Sequence, residues 1–221
     1  MRSIDAQELA IIACEKSKHY LKPGITEKEF AIKCEEIMLS LGAESFWYPM
    51  LVNFNKNSIY CTRGSHLPSE DVVLMETDIV LVDFSPMLNG KWGDYSETIL
   101  VGNDLEFRRL ITDAKQIFEL TYAFAKQAET IGDLFNFCND LILSRGYDLL
   151  DPNGNIGHSI EDYSNQSKRI YIYPGNDKLA LKGKRWAIEP HIGKGGFGAK
   201  FENVILECYD KNAVEKHPRL K

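Results

Sequence analysis

Two aspartates stand out because each interrupts an apolar segment with the character of a β-strand. Asp83 lies inside the run Ile79–Phe84, and Asp94 follows eleven residues later in the segment WGDYS. A carboxylate in such a strand is costly to bury unless a positive group compensates its charge. A cation shared by the two side chains would provide that compensation.

A short turn signal brings the two aspartates together. Asn89-Gly90 separates two β-rich runs, Asp78–Pro86 and Lys91–Val101. Both turn residues tolerate the positive φ of a type I′ turn, so the segment predicts a two-residue β-hairpin. In that register Asp83 shares a face with Asp94 and lies diagonally across from it, about 7 Å away at the backbone, which side chains can bridge.

A second two-residue turn predicts a similar hairpin near the C-terminus. A turn at Gly195-Gly196 places Glu189, in WAIEP, directly opposite Glu202, in KFENVIL. One such acid alone is more often a strand residue paired with Lys or Arg, but four acids that pair by hairpin geometry favour a metal site. Oxygen-rich sites suit hard divalent cations, and an imidazole shifts the preference toward Mn, Fe, Co or Zn. Among the five histidines, His158 is the best candidate for that imidazole.

The elements expected around these acids are two helix pairs, each followed by β structure. Helical spacing predicts a first helix over Asp5–Leu21, and a capping box at Thr26 and Glu29 starts a second that runs to about Leu41. A second pair is expected over 105–145, broken near residues 130–133. Further strands or extended segments are predicted at Tyr48–Val52, Ser58–Cys61, Arg169–Tyr173, Arg185–His191 and Ala199–Cys208. Helices segregated against mostly antiparallel strands indicate an α+β fold.

Composition sets the broad class of the chain. Its length of 221 residues fits one domain, and its net charge of −6 argues against nucleic acid as the main partner. Five widely spaced cysteines without a CxxC pair indicate free thiols in a reducing compartment, neither a disulfide framework nor a thiolate zinc site. The N-terminus lacks an apolar signal region, and no apolar run approaches the ~18 residues of a membrane span, so a cytoplasmic location without membrane contact is expected.

The chain resembles the catalytic domain of the pita-bread metallopeptidases, which include methionine aminopeptidase, aminopeptidase P, prolidase and the non-peptidase creatinase. The segments that carry the resemblance are DIVLVDFSPMLNGKWGDYSETILVG at 78–102, GHSI at 157–160, WAIEP at 186–190 and GAKFENVIL at 198–206. The resemblance implies a curved antiparallel sheet with two helix pairs packed on its outside and a pseudo-twofold axis. It also implies a single catalytic domain over residues 1–221, without the extra N-terminal domain of creatinase and many aminopeptidases P.

The family's five metal ligands are Asp, Asp, His, Glu and Glu in that order. They fall on Asp83, Asp94, His158, Glu189 and Glu202. The resemblance therefore implies two divalent ions, which hold a bridging water or hydroxide and lower its pKa. It further implies that Glu189 acts as general base as well as ligand. The expected partner is a small molecule or short peptide, and a homodimer is left open.

Three further residues are candidates for contact with the substrate. His66, seventeen residues before Asp83, matches a family histidine that contacts the substrate or leaving group, and it is a candidate catalytic residue. Asn165 stands where the family has a second histidine that polarises the substrate carbonyl, and an amide cannot deliver a proton as an imidazolium does. His191 is an extra imidazole where the family usually has glycine. The CHGIP segment of a methionine aminopeptidase is also missing from Cys61–Pro68.

These features lead to one main functional prediction and two alternatives. The main one is a dinuclear-metal hydrolase that cleaves an N-terminal or Xaa-Pro-type amide bond through a metal-bridging hydroxide. The first alternative is a metal-dependent non-peptidase acting on a small metabolite, which the altered segment around Asn165 would suit. The second is a catalytically weak binding module, which predicts eroded ligands, whereas all five are present.

Overall fold

Two pairs of α-helices pack on β structure in a computed structural model that describes residues 4–60, 66–160, 169–176 and 185–205. Within these ranges the helices are α1 (Ala6–Ser17), α2 (Glu27–Ser40), α3 (Leu105–Ala125) and α4 (Ile131–Ser144). Short 3-10 helices follow at Lys18–Tyr20 and Asn55–Ile59. The predicted α+β class and the two helix pairs are therefore confirmed.

Local capping explains where the helices begin. Asp5 accepts a hydrogen bond from the backbone N–H of Glu8 at 2.8 Å and so caps α1. The predicted capping box at Thr26 and Glu29 is present at the start of α2. A second box, between Thr130 and Asp133, starts α4 and accounts for the break between the two later helices.

The described strands form four antiparallel sheets of three strands each. The two sheets of the first half have the orders β2-β3-β6 and β1-β4-β5, and those of the second half have the orders β12-β9-β8 and β11-β10-β7. In chain order the strands are β1 (Ser45–Phe46), β2 (Leu51–Phe54), β3 (Asp78–Phe84), β4 (Pro86–Leu88), β5 (Lys91–Trp92), β6 (Tyr95–Val101), β7 (Asp148–Leu149), β8 (Gly157–Ile160), β9 (Arg185–Ile188), β10 (His191–Lys194), β11 (Phe197–Lys200) and β12 (Asn203–Ile205).

The register of the first hairpin is the predicted one. Leu88 pairs with Lys91 across the turn, and Asp83 pairs with Ser96 further along. Asn89 and Gly90 have φ values of 53° and 69°. Both lie in the left-handed region that the type I′ turn requires. Asp94, two residues from Ser96, is therefore the diagonal neighbour of Asp83.

The second hairpin also follows its predicted register. His191 pairs with Lys200, and Ile188 pairs with Asn203. These pairs bracket Glu189 and Glu202, which stand opposite each other where the chain passes from one sheet to the next.

Each helix pair covers the outer face of one half of the β structure. Val80, Val82 and Phe84 of β3 pack with α1 and α2 in one core. In the second half, Trp186 and Ile188 of β9 pack with α3 and α4. Because side chains alternate along a strand, the residues between them point to the inner face.

Two extended segments differ from their predictions. The segment predicted to be extended from Ser58 lies instead partly in a 3-10 helix over Asn55–Ile59. Asn55, with a φ of 53°, turns the chain at the start of this helix. Residues 169–173 run beside β8 without forming a regular strand: Tyr171 makes an isolated bridge to His158, and the backbones of Ile170 and Ile172 hydrogen-bond to residues 156–159. Three cysteines, Cys14, Cys34 and Cys138, are free and buried as expected, whereas Cys61 and Cys208 lie outside the described residues.

Membrane insertion of a helix finds no support in the described part of the chain. None of the helices there combines the length and the apolar character that a membrane crossing needs.

Gly93 provides a test of the packing next to Asp94. A Cβ at Gly93 would overlap the backbone carbonyl of Ala6 at the start of α1. We expect Gly93→Ala to lower the free energy of unfolding by about 3 kcal/mol, because such an overlap forces the backbone apart. Gly90→Ala in the same hairpin meets open space and only its positive φ opposes it, so it should cost about 1 kcal/mol. Equal losses in urea denaturation would contradict this account.

Candidate metal centre

Four carboxylates and one imidazole converge where the two halves of the β structure meet. Asp83, Asp94, His158 and Glu202 are almost completely buried, whereas the side chain of Glu189 is 19% exposed. All five residues were predicted as ligands from the sequence. The structure brings the five side chains to one place.

Strand alternation explains why these side chains share the inner face. His158 of β8 pairs with Ala187 of β9, so the two residues face the same side. Glu189 lies two residues beyond Ala187 and faces that side as well. Its Oε1 is 3.5 Å from His158 Nε2, and the same nitrogen is 3.4 Å from Asp94 Oδ2.

Lys200, which the sequence analysis did not select, lies at the centre of the carboxylates. Its Nζ is 2.9 Å from Asp83 Oδ2, 2.6 Å from Glu189 Oε2 and 2.9 Å from Glu202 Oε2. The side chain is only 2% exposed. Its signal was present in the sequence, because Lys200 stands two residues before Glu202 and is itself a charged residue in an apolar strand.

Three of the five predicted ligands are grouped around a common point. Asp94, His158 and Glu202 each offer a donor atom, and these atoms lie within 4.8 Å of one another. Glu202 Oε2 accepts a hydrogen bond from Ser96 at 2.7 Å, while Oε1 is buried without a hydrogen-bond partner among the described residues. Burial, together with the charge of Asp94, raises the pKa of Glu202. A bound cation would oppose that shift.

Two polar side chains from the first half hold the aspartates, and neither was predicted. Tyr48 donates its hydroxyl hydrogen to Asp83 Oδ1, and the Tyr48 hydroxyl oxygen is also 3.1 Å from Asp94 Oδ1. Gln7 of α1 clamps the backbone of Asp94: its Oε1 accepts from the Asp94 N–H and its Nε2 donates to the Asp94 carbonyl, each at 2.8 Å. The Gln7 amide also donates to Asn203 Oδ1, next to Glu202, at 2.9 Å. No sequence pattern pointed to Gln7.

His191 lines the cavity in front of the five ligands as a neutral imidazole. Burial, with the nearby Lys200 ammonium, lowers the pKa of His191 to about 3. Its Nε2 is 2.8 Å from the carbonyl oxygen of Ser58, which can only accept, so Nε2 carries the hydrogen. Nδ1 is then an acceptor, and it has no hydrogen-bond partner among the described residues.

Of the other two predicted substrate contacts, only His66 is among the described residues. His66 Nε2 is 2.7 Å from the fully buried Glu27 Oε2, and the ring stacks on Tyr60. Among the described residues, His66 does not line the cavity with the metal ligands. Asn165 lies outside the described residues, so its role stays a prediction.

The cavity itself opens from the ligands between polar and aromatic walls. Asp151, Asn153 and Asn155 of one loop line it, as do Arg169 and Tyr171 on another segment. The Arg169 guanidinium lies 4.5 Å from the centre of the Trp47 ring, which stacks on Trp92 at 4.8 Å. A small polar molecule entering this cavity meets Glu189, the most exposed of the five ligands.

The role of Gln7 in positioning Asp94 can be tested by substitution. Gln7→Leu removes both hydrogen bonds to the Asp94 backbone, and we expect metal affinity to fall about 10-fold, as is typical when a group that orients a ligand is lost. Isothermal titration with Mn²⁺ measures the change. Lys16→Leu, at an exposed position of the same helix, is the control and should bind like the wild type. Unchanged affinity in Gln7→Leu would show that Asp94 needs no such clamp.

Comparison with known proteins agrees with this geometry. The family model of metallopeptidase family M24 matches residues 3–206 of the chain. A methionine aminopeptidase from Pyrococcus horikoshii is 28% identical over 196 residues, which are 87% of this chain and 63% of that protein. The chain thus spans less than two thirds of this relative.

Solved structures show the same fold. An X-Pro aminopeptidase from Thermotoga maritima superposes with a TM-score of 0.75 at 22% identity, over 90% of this chain and 55% of that one. A methionine aminopeptidase from the same organism gives a TM-score of 0.73 at 23% identity, over 91% and 90% of the two chains. The expected pita-bread fold is confirmed by this likeness.

Proposed function

Because the chain belongs to metallopeptidase family M24, we propose that it is a metal-dependent hydrolase that cleaves an N-terminal or Xaa-Pro-type amide bond in a short peptide. The observation that carries the proposal is the convergence of Asp94, His158 and Glu202 within 4.8 Å of one another, beside a cavity that Asp94 and His158 line. The names of the relatives, methionine aminopeptidase and X-Pro aminopeptidase, support the bond type.

The residues present fit a divalent ion. Carboxylate oxygens with one imidazole suit Mn, Fe, Co or Zn. The buried Glu202 Oε1, which accepts no hydrogen bond from any described residue, fits a ligand atom. When bound, the metal supplies Lewis-acid activation of water and of the scissile carbonyl. The family resemblance predicts two such ions. The number that this chain binds depends on Lys200.

Glu189 is the proposed general base. Its carboxylate is the most exposed of the four and borders the cavity, so it is the best placed of the four to accept a proton from a water there. The Lys200 ammonium, 2.6 Å from Glu189 Oε2, favours the charged carboxylate that accepts a proton. Glu189 would then pass that proton to the leaving amine.

The imidazole of His191 is proposed to orient the substrate without exchanging protons with it. Since its Nε2–H is engaged by Ser58, Nδ1 offers a lone pair and no hydrogen. A substrate N–H group that approaches the cavity wall is the complementary partner. For His66, the contact with the substrate predicted from the sequence stays a proposal, and it requires the imidazole to leave Glu27.

A second candidate function is metal-dependent chemistry on a small non-peptide metabolite. The observation that favours it is Asn165 in place of the second family histidine, since an amide supplies no proton to a leaving group. This reading keeps the metal ligands and Glu189 in their roles. It changes only the bond that is broken.

A peptide panel separates these two functions. Short peptides with N-terminal Met or Xaa-Pro, assayed with Mn²⁺, Co²⁺, Fe²⁺ and Zn²⁺, should be cleaved with at least one metal, and release of the N-terminal residue by mass spectrometry reports cleavage. Glu189→Gln should lower kcat by at least 100-fold, because the base is removed while the side-chain volume is kept. Metal binding without turnover of any peptide would exclude the peptidase proposal and favour the second candidate.

The ligand assignment has its own test. Asp94→Asn and Glu202→Gln each remove a charge without a change of size, and both should reduce the metal that copurifies with the protein, measured by elemental analysis. Glu76→Gln, an equivalent change at an exposed carboxylate, should leave the metal content unchanged. Wild-type metal content in either ligand variant would refute the proposed site.

A further inference from the structure

The Lys200 ammonium contacts three of the proposed metal ligands. An ammonium has three hydrogens to donate. The Nζ atom has one oxygen each of Asp83, Glu189 and Glu202 within 2.6–2.9 Å. The amine is therefore held in a fixed place by charges on both halves of the protein, and it lies where a cation shared by these carboxylates would lie.

Both oxygens of the Asp83 carboxylate accept hydrogen bonds from other side chains. Oδ2 is 2.9 Å from Lys200 Nζ, and Oδ1 accepts the hydroxyl hydrogen of Tyr48. An ion bound to Asp83 would either displace the ammonium or the phenol, or lie beside the ammonium. In a buried site, two such like charges repel strongly.

The ligands on the other side of the centre are arranged differently. Asp94, His158 and Glu202 gather their donor atoms within 4.8 Å of one another, and this group does not include Asp83. Glu202 divides its oxygens between the two sides, with Oε2 toward Lys200 and Ser96 while Oε1 has no hydrogen-bond partner among the described residues.

We propose that the Lys200 ammonium takes the place of one of the two ions that the family resemblance implies, so that the centre holds a single divalent ion at Asp94, His158 and Glu202. The five ligand residues are then divided by role. Asp83 serves as the counter-ion of Lys200, Glu202 is shared, and Glu189 faces the cavity between the two cations. This inference rests on the proposed metal dependence and specifies its stoichiometry.

The test is the number of ions per chain in protein stripped with a chelator and reloaded with Mn²⁺. Elemental analysis after desalting should give one ion for the wild type, with the EPR spectrum of an isolated Mn²⁺ ion. Lys200→Gln removes the charge and keeps most of the length, so it should raise the count to two and give the spectrum of a spin-coupled pair. Lys200→Arg retains a cation and should stay at one. Two ions in the wild type, or one in Lys200→Gln, would overturn the proposal.

A second pair of variants keeps the proposal testable if Lys200→Gln does not fold. Asp83→Asn should retain one ion, whereas Asp94→Asn, the same change on the diagonal neighbour, should lose it. Loss of an ion in both variants would contradict the single-ion centre.

The outcomes distinguish this inference from the proposed function. Two bound ions with peptide cleavage would refute the role of Lys200 and keep the function. One bound ion without cleavage of any peptide would keep the role of Lys200 and refute the peptidase proposal. A wild type that binds no ion would refute both.

Discussion

Four carboxylates on the inner faces of two hairpins, three of them buried, impose the main constraint on this protein. Two unit charges about 4 Å apart repel by roughly 4 kcal/mol at an effective dielectric constant of about 20, and donor atoms of Asp94 and Glu202 lie within 4.8 Å of each other. Burial, followed by the charge of Asp94, raises the pKa of Glu202. A cation must therefore be part of the folded centre. Lys200 supplies one from within the chain, with contacts of 2.6–2.9 Å to three of the acids.

The rest of the architecture keeps these acids on the inner face. The helix pairs cover the outer residues of the strands, so that Val82 and Phe84 anchor one side of β3 while Asp83 points to the other. A shift of one residue in either hairpin would exchange the two faces. Hydrogen bonds between the halves oppose such a shift: Glu202 donates its N–H to the Ser96 carbonyl at 3.0 Å, and Lys200 donates its N–H to Thr98 Oγ1 at 2.8 Å.

The charge distribution also separates the roles of the acids. Glu202 is buried behind the centre, whereas Asp83, Asp94 and Glu189 line the cavity, and Glu189 is the most exposed of these three. A carboxylate that touches both a cation and solvent is suited to move a proton, and one that is fully enclosed is suited to hold a charge in place. His191, kept neutral by burial, adds a hydrogen-bond acceptor at the wall without adding charge. This arrangement supports the proposed cleavage of an amide bond in a short peptide.

The sequence by itself determined what depends on local geometry. The Asn89-Gly90 and Gly195-Gly196 turns set the registers, and strand alternation then put Asp83 beside Asp94 and Glu189 opposite Glu202. Lys200 and Glu202 are two residues apart, and this spacing also places both side chains on the same face of the strand. Only the tertiary structure decided that the Lys200 ammonium meets Asp83, 117 residues away, and that Gln7 of α1 clamps Asp94. These contacts join separate halves of the chain, and no spacing within one hairpin specifies how two hairpins pack against each other.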